Sequence, residues 1–430
     1  MKRADIVLRR CRQVLTCQGV APKRGGDLAN VGLQENVSLA IGEGKIIYLG
    51  PDEDLFATVA TGSATEILEA ENLIVLPGFI DSHTHLPFAG SREEEFALRL
   101  QGYTYQELAA RGLGIQTTVK ATREIPEDKL LELCLARCDS MLLHGTTTAE
   151  AKSGYGLNLA DEIKQLEVIR QANQIHPLDI LPTYLGAHEV PPEYKGNKKA
   201  YLNFMINKVL PVIKEKNLAR FVDVFCEEGV YDLEETRFII RAAKKMGLAP
   251  RIHADEFSPL GGARLAVEEE ALSADHLLAI DDQGIALLAQ SSTVATFLPV
   301  VSLFLMQEKK APARELIQAG AVVAIASDFN PGSSMTENML LVIQLAVLLL
   351  KMKIEEAINA ATINAAFSLG ISQACGSLEV GKKADLILCD IPNYLHLVYH
   401  LGVNPIYHVI KNGRWVVRER KLVYLRPSNF

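Results

Sequence analysis

The sequence predicts an α/β protein, a (β/α)8 TIM-like barrel with a small discontinuous β-domain built from both termini. Three observations predict it. From Leu76 onward, short β-branched runs alternate with longer helical patterns, the texture of βα units around a parallel sheet. The runs number eight, the count a barrel needs. Both ends of the chain instead carry short strands and tight turns.

Taken in order, the N-terminal stretch contains "VSLAIGEGKIIYLG", two β-like segments around Gly42-Glu43-Gly44 that signal a hairpin. The candidate barrel strands are 74–81, 146–150, 180–185, 221–225, 250–253, 272–275, 294–297 and 322–327. After them, "GSLEVGKKADLILCD" and "HVIKNGRWVVRERKLV" return to strand texture, and Asn412-Gly413 is a strong two-residue hairpin turn. Residues 1–75 and 376–430 are therefore expected to meet as one small β-sandwich domain beside a catalytic barrel of 76–375.

Composition narrows the function classes. Hydrophobic residues make up 48% and charged ones 22%, which excludes a disordered chain, a collagen and a coiled-coil rod. A net charge of −8 without a basic tract argues against nucleic acid or an anionic membrane as partner and suits an enzyme of small molecules. Cysteines number 7, too few and too odd for a disulfide framework. Cys134 and Cys138 lie one helical turn apart among leucines and read as a buried helix face. The start is charged and offers no secretory h-region. The apolar run 339–350 contains Gln344 and is too short to span a bilayer, so a buried helix and a cytoplasmic location are expected.

Polar residues gather where the candidate strands end, which is where barrel active sites form. His83 and His85 follow strand 1 at a spacing that projects both imidazoles to one face of an extended segment. His253 ends strand 5, with Asp255 and Glu256 just after it; His276 ends strand 6; Asp328 ends strand 8. Three imidazoles and one carboxylate drawn from such strand ends suit Zn²⁺ or iron rather than Mg²⁺ or Ca²⁺. A metal there would activate water near neutral pH.

These residues resemble the amidohydrolase superfamily. Longer strings, among them "DSHTHLPFAGSREEEFALRLQG", "TTTAEAKSGYGL", "LGAHEVPPEY", "HADEFSPLGGARLA" and "SDFNPGSSMTENM", resemble its branch that opens an imidazolone ring in histidine degradation. The resemblance implies a metal-dependent barrel, commonly dimeric, that hydrolyses 4-imidazolone-5-propanoate to N-formimidoyl-L-glutamate. It implies metal ligands at His83, His85, His253 and Asp328, with His276 beside the metal. It implies substrate contacts at Arg92, Tyr105, Tyr155, His188, Glu256, Asn330, Gly332 and Ser333. The strings around Pro87 and Pro299 depart mildly from the family's, which leaves the pocket shape there open.

The chemistry of ring opening assigns the roles. Asp328 can take a proton from water, His276 can polarise the carbonyl, and Glu256 can shuttle protons to the ring. Dinuclear relatives present a modified lysine near the end of strand 4, whereas "FVDVFCEEG" offers none, so one zinc or iron per chain is expected. Lys152 follows strand 2 and is read as positioning a loop or the substrate. Arg92 offers a planar fork for a carboxylate, although a solvated charge beside Glu93, Glu94 and Glu95 is the plain alternative. The loop from Asn330 to Ser334 could add N–H and hydroxyl donors to an anion. A deaminase of another nitrogen heterocycle is the rival within the class. A barrel that binds without catalysis is the rival outside it.

Overall fold

The computed structural model describes residues 1–103, 107 and 111–425. Its centre is the expected barrel. Eight strands pair in parallel in sequence order: β1 (Phe79–Asp81), β2 (Thr146–Lys152), β3 (Asp179–Ala187), β4 (Phe221–Cys226), β5 (Ala249–Ala254), β6 (Ser273–His276), β7 (Val294–Phe297) and β8 (Val322–Ile325). The ring closes just beyond β1 and β8 through a parallel bridge of Thr84 and Phe329. There the Asp328 N–H donates to His83 O and the His85 N–H to Phe329 O, each at 3.0 Å. The segments that complete the barrel therefore also carry candidate ligands.

Helices return the chain between strands, and local chemistry starts several of them. Asp232 and Glu235 form a reciprocal capping box on helix Leu233–Lys245. Asp281 caps Asp282–Gln290 by accepting from the Gly284 N–H. The apolar run is helix Met339–Leu350, whose buried Gln344 spends its amide on Leu397 O at 2.9 Å. Among the described residues, no helix is long and apolar enough to cross a membrane. All seven cysteines are buried and none is in a disulfide, Cys134 and Cys138 on helix Glu127–Leu143 among them.

Strands from both termini share a nine-stranded sheet beside the barrel. Leu386–Cys389 pairs antiparallel with Ile74–Pro77, which ties the C-terminal strands to the N-terminal ones. The two expected hairpins form, with Glu43 and Asn412 at φ 53° and 49° and Gly44 and Gly413 at 75° and 73°. Positive φ at both central turn positions matches the twist of the flanking strands. The run 74–81, expected as one barrel strand, is two. Gly78 divides Ile74–Pro77 of the terminal sheet from β1 of the barrel. A Cβ on Gly78 would collide with the Thr147 side chain, so only glycine lets the chain turn between the sheets there. We propose Gly78 as the junction of the two units.

Candidate active site

The C-terminal ends of the barrel strands converge on one point. A donor atom from each of His83, His85, His253 and Asp328 lies within 4.8 Å of the others, and all four residues are buried. Asp328 Oδ1 stands 3.3 Å from His83 Nε2 and 3.1 Å from His85 Nε2. Bonds of about 2.0–2.2 Å to a tetrahedral ion place its ligands roughly 3.3–3.5 Å apart, close to these separations. Neither His83 Nε2 nor Asp328 Oδ1 has a hydrogen-bond partner, although both are buried. Buried polar atoms left unmatched by protein are costly, and a shared cation resolves that cost. The donor set fits a metal.

Backbone geometry aims these groups. Asp328, His276 and Asp255 hold φ of 53°, 80° and 50°, in the left-handed region that residues with a Cβ seldom occupy. Each lies where a strand turns into its loop, and at Asp328 and His276 the turn directs the side chain across the barrel mouth. Asp255 is turned the other way. Its carboxylate accepts from the N–H groups of Gly261, Gly262 and Ala263 at 2.7–2.9 Å and anchors the next helix.

Below the ligands lies a layer of charge with no solvent access. His83 Nδ1 donates to Asp275 Oδ2 at 2.7 Å, which leaves Nε2 as the lone-pair nitrogen. His253 Nδ1 lies 3.0 Å from Asp223 Oδ2. Lys152 Nζ bridges Asp223 Oδ2 and Glu150 Oε1, each at 2.8 Å, and Glu150 Oε2 accepts from the Thr84 N–H. Arg251 donates to Ser82 O at 2.9 Å and stands 3.5 Å from Asp275. Lys152 is therefore the last residue of β2, sealed inside the barrel, rather than a group on the following loop that touches substrate. None of Glu150, Asp223, Arg251 or Asp275 was expected from the sequence. The available signal was a charge set in an apolar strand, as in "VDV" and "PRIHA".

Above the ligands opens a cavity of about 300 Å³. Arg92, Tyr155, His188, Glu256, His276, Asn330, Gly332 and Ser333, separated by up to 241 positions in the chain, all line it. Tyr105 lies outside the described residues. The apolar wall of Ile115, Phe225, Phe257 and Leu305, together with Glu95 and Arg99, was not anticipated.

The polar lining is specific. His188 Nδ1 lies 3.0 Å from Gly154 O; a carbonyl only accepts, so Nδ1 carries the proton and Nε2 is left as an acceptor. Burial, then His85 and His253, hold its pKa well below the usual value, so the ring is neutral. Glu256 Oε1 stands 3.5 Å from His276 Nδ1. Burial, then the charges of Asp328 and Glu227, push the Glu256 carboxyl well above its ordinary pKa. Burial pushes His276 well below its own. Glu227 accepts from the N–H groups of Phe257 and Ser258 at 2.9 and 3.1 Å and thereby fixes the loop carrying Glu256. Arg92 is not a solvated charge: its Nε and Nη2 reach both carboxylate oxygens of Glu95 at 2.8 and 2.6 Å. In the 330–334 loop, Asn330 Oδ1 accepts from the N–H groups of Gly332 and Ser333 at 2.8 and 2.9 Å.

The chain has recognisable relatives. Residues 74–416 match the model of the amidohydrolase family. The imidazolonepropionase of Symbiobacterium thermophilum is 47% identical, with 98% of this chain and 99% of that protein covered. That of Geobacillus kaustophilus is also 47% identical, over 97% of this chain and 99% of its own. Two solved structures share the fold: an adenosine deaminase from Xanthomonas campestris with bound zinc and an atrazine chlorohydrolase from Arthrobacter aurescens complexed with zinc. Each has a TM-score of 0.69, at 18% and 16% identity. The first covers 99% of this chain and 95% of its own, the second 98% and 97%.

Proposed function

The chain belongs to the amidohydrolase family, at the level of its imidazolonepropionase members, and on that premise we propose that its barrel mouth hydrolyses 4-imidazolone-5-propanoate to N-formimidoyl-L-glutamate in histidine degradation. The observation that carries this reading is the convergence of His83, His85, His253 and Asp328 beneath a cavity that also collects Glu256, His276, Arg92 and His188.

His83, His85, His253 and Asp328 would hold the metal, one zinc or iron per chain. When bound, it would supply Lewis acidity, polarising a carbonyl and lowering the pKa of water. The remaining work belongs to side chains. Water adds to the ring carbonyl carbon, the ring C–N bond breaks, and the freed nitrogen takes a proton. Asp328 Oδ2, reached by the Ser333 hydroxyl at 3.3 Å, accepts the proton that water gives up. Neutral His276 stands ready to hold the carbonyl oxygen as charge develops on it. Glu256, kept protonated by burial, gives its proton to the leaving nitrogen. His188 Nε2 accepts from a ring N–H, and the apolar wall of Phe225, Phe257 and Leu305 keeps bulk water from the ring.

The reading extends to a homodimer, supported by the family resemblance, and to the cytoplasm, supported by seven buried cysteines with no disulfide among them. The test is to incubate metal-analysed protein with 4-imidazolone-5-propanoate, following ring absorbance and ammonia together. Ring loss without ammonia supports the proposal. Ammonia release, or an intact ring, overturns it in favour of a deaminase or another cyclic amide.

A further inference from the structure

We infer that Arg137, which does not line the cavity, is the positioning residue that holds the candidate ligands His85 and Asp328 at their separation, an inference that rests on the metal reading above. Three of the four candidate ligands lie on the seam where the barrel ring closes. His83 and His85 follow β1, Asp328 follows β8, and among the described residues the two strands meet through the single bridge of Thr84 with Phe329. Each of the other seven seams of the barrel is a ladder of at least three paired residues. The thinnest seam therefore carries most of the ligands, and the 3.1 Å between His85 Nε2 and Asp328 Oδ1 is measured across it.

Arg137, on helix Glu127–Leu143, grips both sides of that seam. Its Nη1 donates to Leu86 O and Phe88 O, each at 2.7 Å, one and three residues past His85. Its guanidinium lies 3.6 Å from the centre of the Phe88 ring and 5.7 Å from that of Phe329, the residue after Asp328, and the two rings are 5.5 Å apart. Leu86, Phe88 and Phe329 are fully buried, and a cation held over ring faces away from water is attracted more strongly than an exposed one. Other side chains pin the flanks. Gln165 Nε2 donates to Pro87 O at 2.6 Å, and Thr122 Oγ1 accepts from the Ala89 N–H at 3.0 Å, both on the His85 side. On the other side, Asp81 of β1 accepts from the N–H and hydroxyl of Ser327, at 3.0 and 2.5 Å, just before Asp328. Asp81 thus ties the seam ahead of Asp328, and Arg137 ties it beyond both ligands. A planar fork that also stacks does this where a lysine would not.

The test loads metal-free protein with Co²⁺, reading affinity by competition with a chelator and ligand geometry from the visible absorption bands, which follow coordination number and shape. Arg137→Met keeps the stem and removes the donors and the charge. It should weaken Co²⁺ binding about 10-fold or more, the lower end of what groups that orient a ligand contribute, and should alter the bands. Arg137→Lys, which keeps the charge but not the fork, should give altered bands as well. Val417→Ala, a cavity in the terminal sheet far along the chain, serves as a destabilised control and should leave affinity and bands as in wild type. Arg137→Met with wild-type affinity and bands overturns the assignment, as does a Val417→Ala protein that loses metal to the same extent. If Arg137→Met does not fold, Arg137→Lys decides: altered bands support the inference and wild-type bands overturn it. Wild-type protein that takes up no Co²⁺ defeats the metal reading and this inference together.

Discussion

Replacing Lys152 by methionine removes the one ammonium between two sealed carboxylates and leaves the packing volume nearly intact. Lys152, Glu150 and Asp223 each have 0% side-chain exposure, and both Nζ–O distances are 2.8 Å. At an effective dielectric of about 20, each contact is worth roughly 6 kcal/mol of Coulomb attraction, much of it offset by desolvation of the ions. Deleting the lysine alone keeps the desolvation of both carboxylates and forfeits the attraction, so the expected loss is about 3–5 kcal/mol of stability. The damage also travels to the ligands, because Asp223 is the group that faces His253 Nδ1. Groups that orient a ligand in this way govern metal affinity by about 10–100-fold. Denaturant midpoints give the first quantity and competition with a chelator gives the second. Adding Glu150→Gln to the lysine variant should restore part of the stability by removing one orphaned charge. Should Lys152→Met keep wild-type stability and metal affinity yet lose turnover, the reasoning fails and the residue acts on substrate after all.

Three further outcomes are expected. Glu256→Gln keeps the shape but not the transferable proton, so turnover should fall about 10²–10⁴-fold with metal content unchanged; near-wild-type turnover would reduce Glu256 to a binding group. Asp328→Ala removes the oxygen that both His83 Nε2 and His85 Nε2 approach, and elemental analysis should show the metal, expected at one ion per wild-type chain, lost or sharply reduced. Arg92→Ala strands the buried Glu95 carboxylate at a cost of about 1–3 kcal/mol, and Arg92→Ala with Glu95→Gln should recover most of it; no recovery would mean the pair is not coupled.

Much of this protein was legible in its sequence, for reasons that are local. Strands 146–150 through 322–327 announce themselves because each is a short β-branched run between turns. Residues at and just beyond a strand's C-terminal end face the barrel mouth, so His253, His276 and Asp328 could be placed at a site before any fold was seen. The Asn412-Gly413 hairpin was legible because its backbone demands φ values that few residue pairs tolerate.

What only the tertiary structure decided depends on partners distant in the chain. The run 74–81 reads as one strand, yet Gly78 splits it, because Leu386–Cys389 claims one half and β2 the other. Lys152 reads as a loop cation until Asp223, 71 positions away, is found against its Nζ. Arg92 reads as either an anion anchor or a solvated charge beside Glu93, Glu94 and Glu95. Folding sets its guanidinium against Glu95 and at the edge of the cavity. Backbone propensity and strand-end position are written into neighbouring residues. Which buried charges cancel and which are left for a ligand depends on the low-dielectric space that folding creates around them.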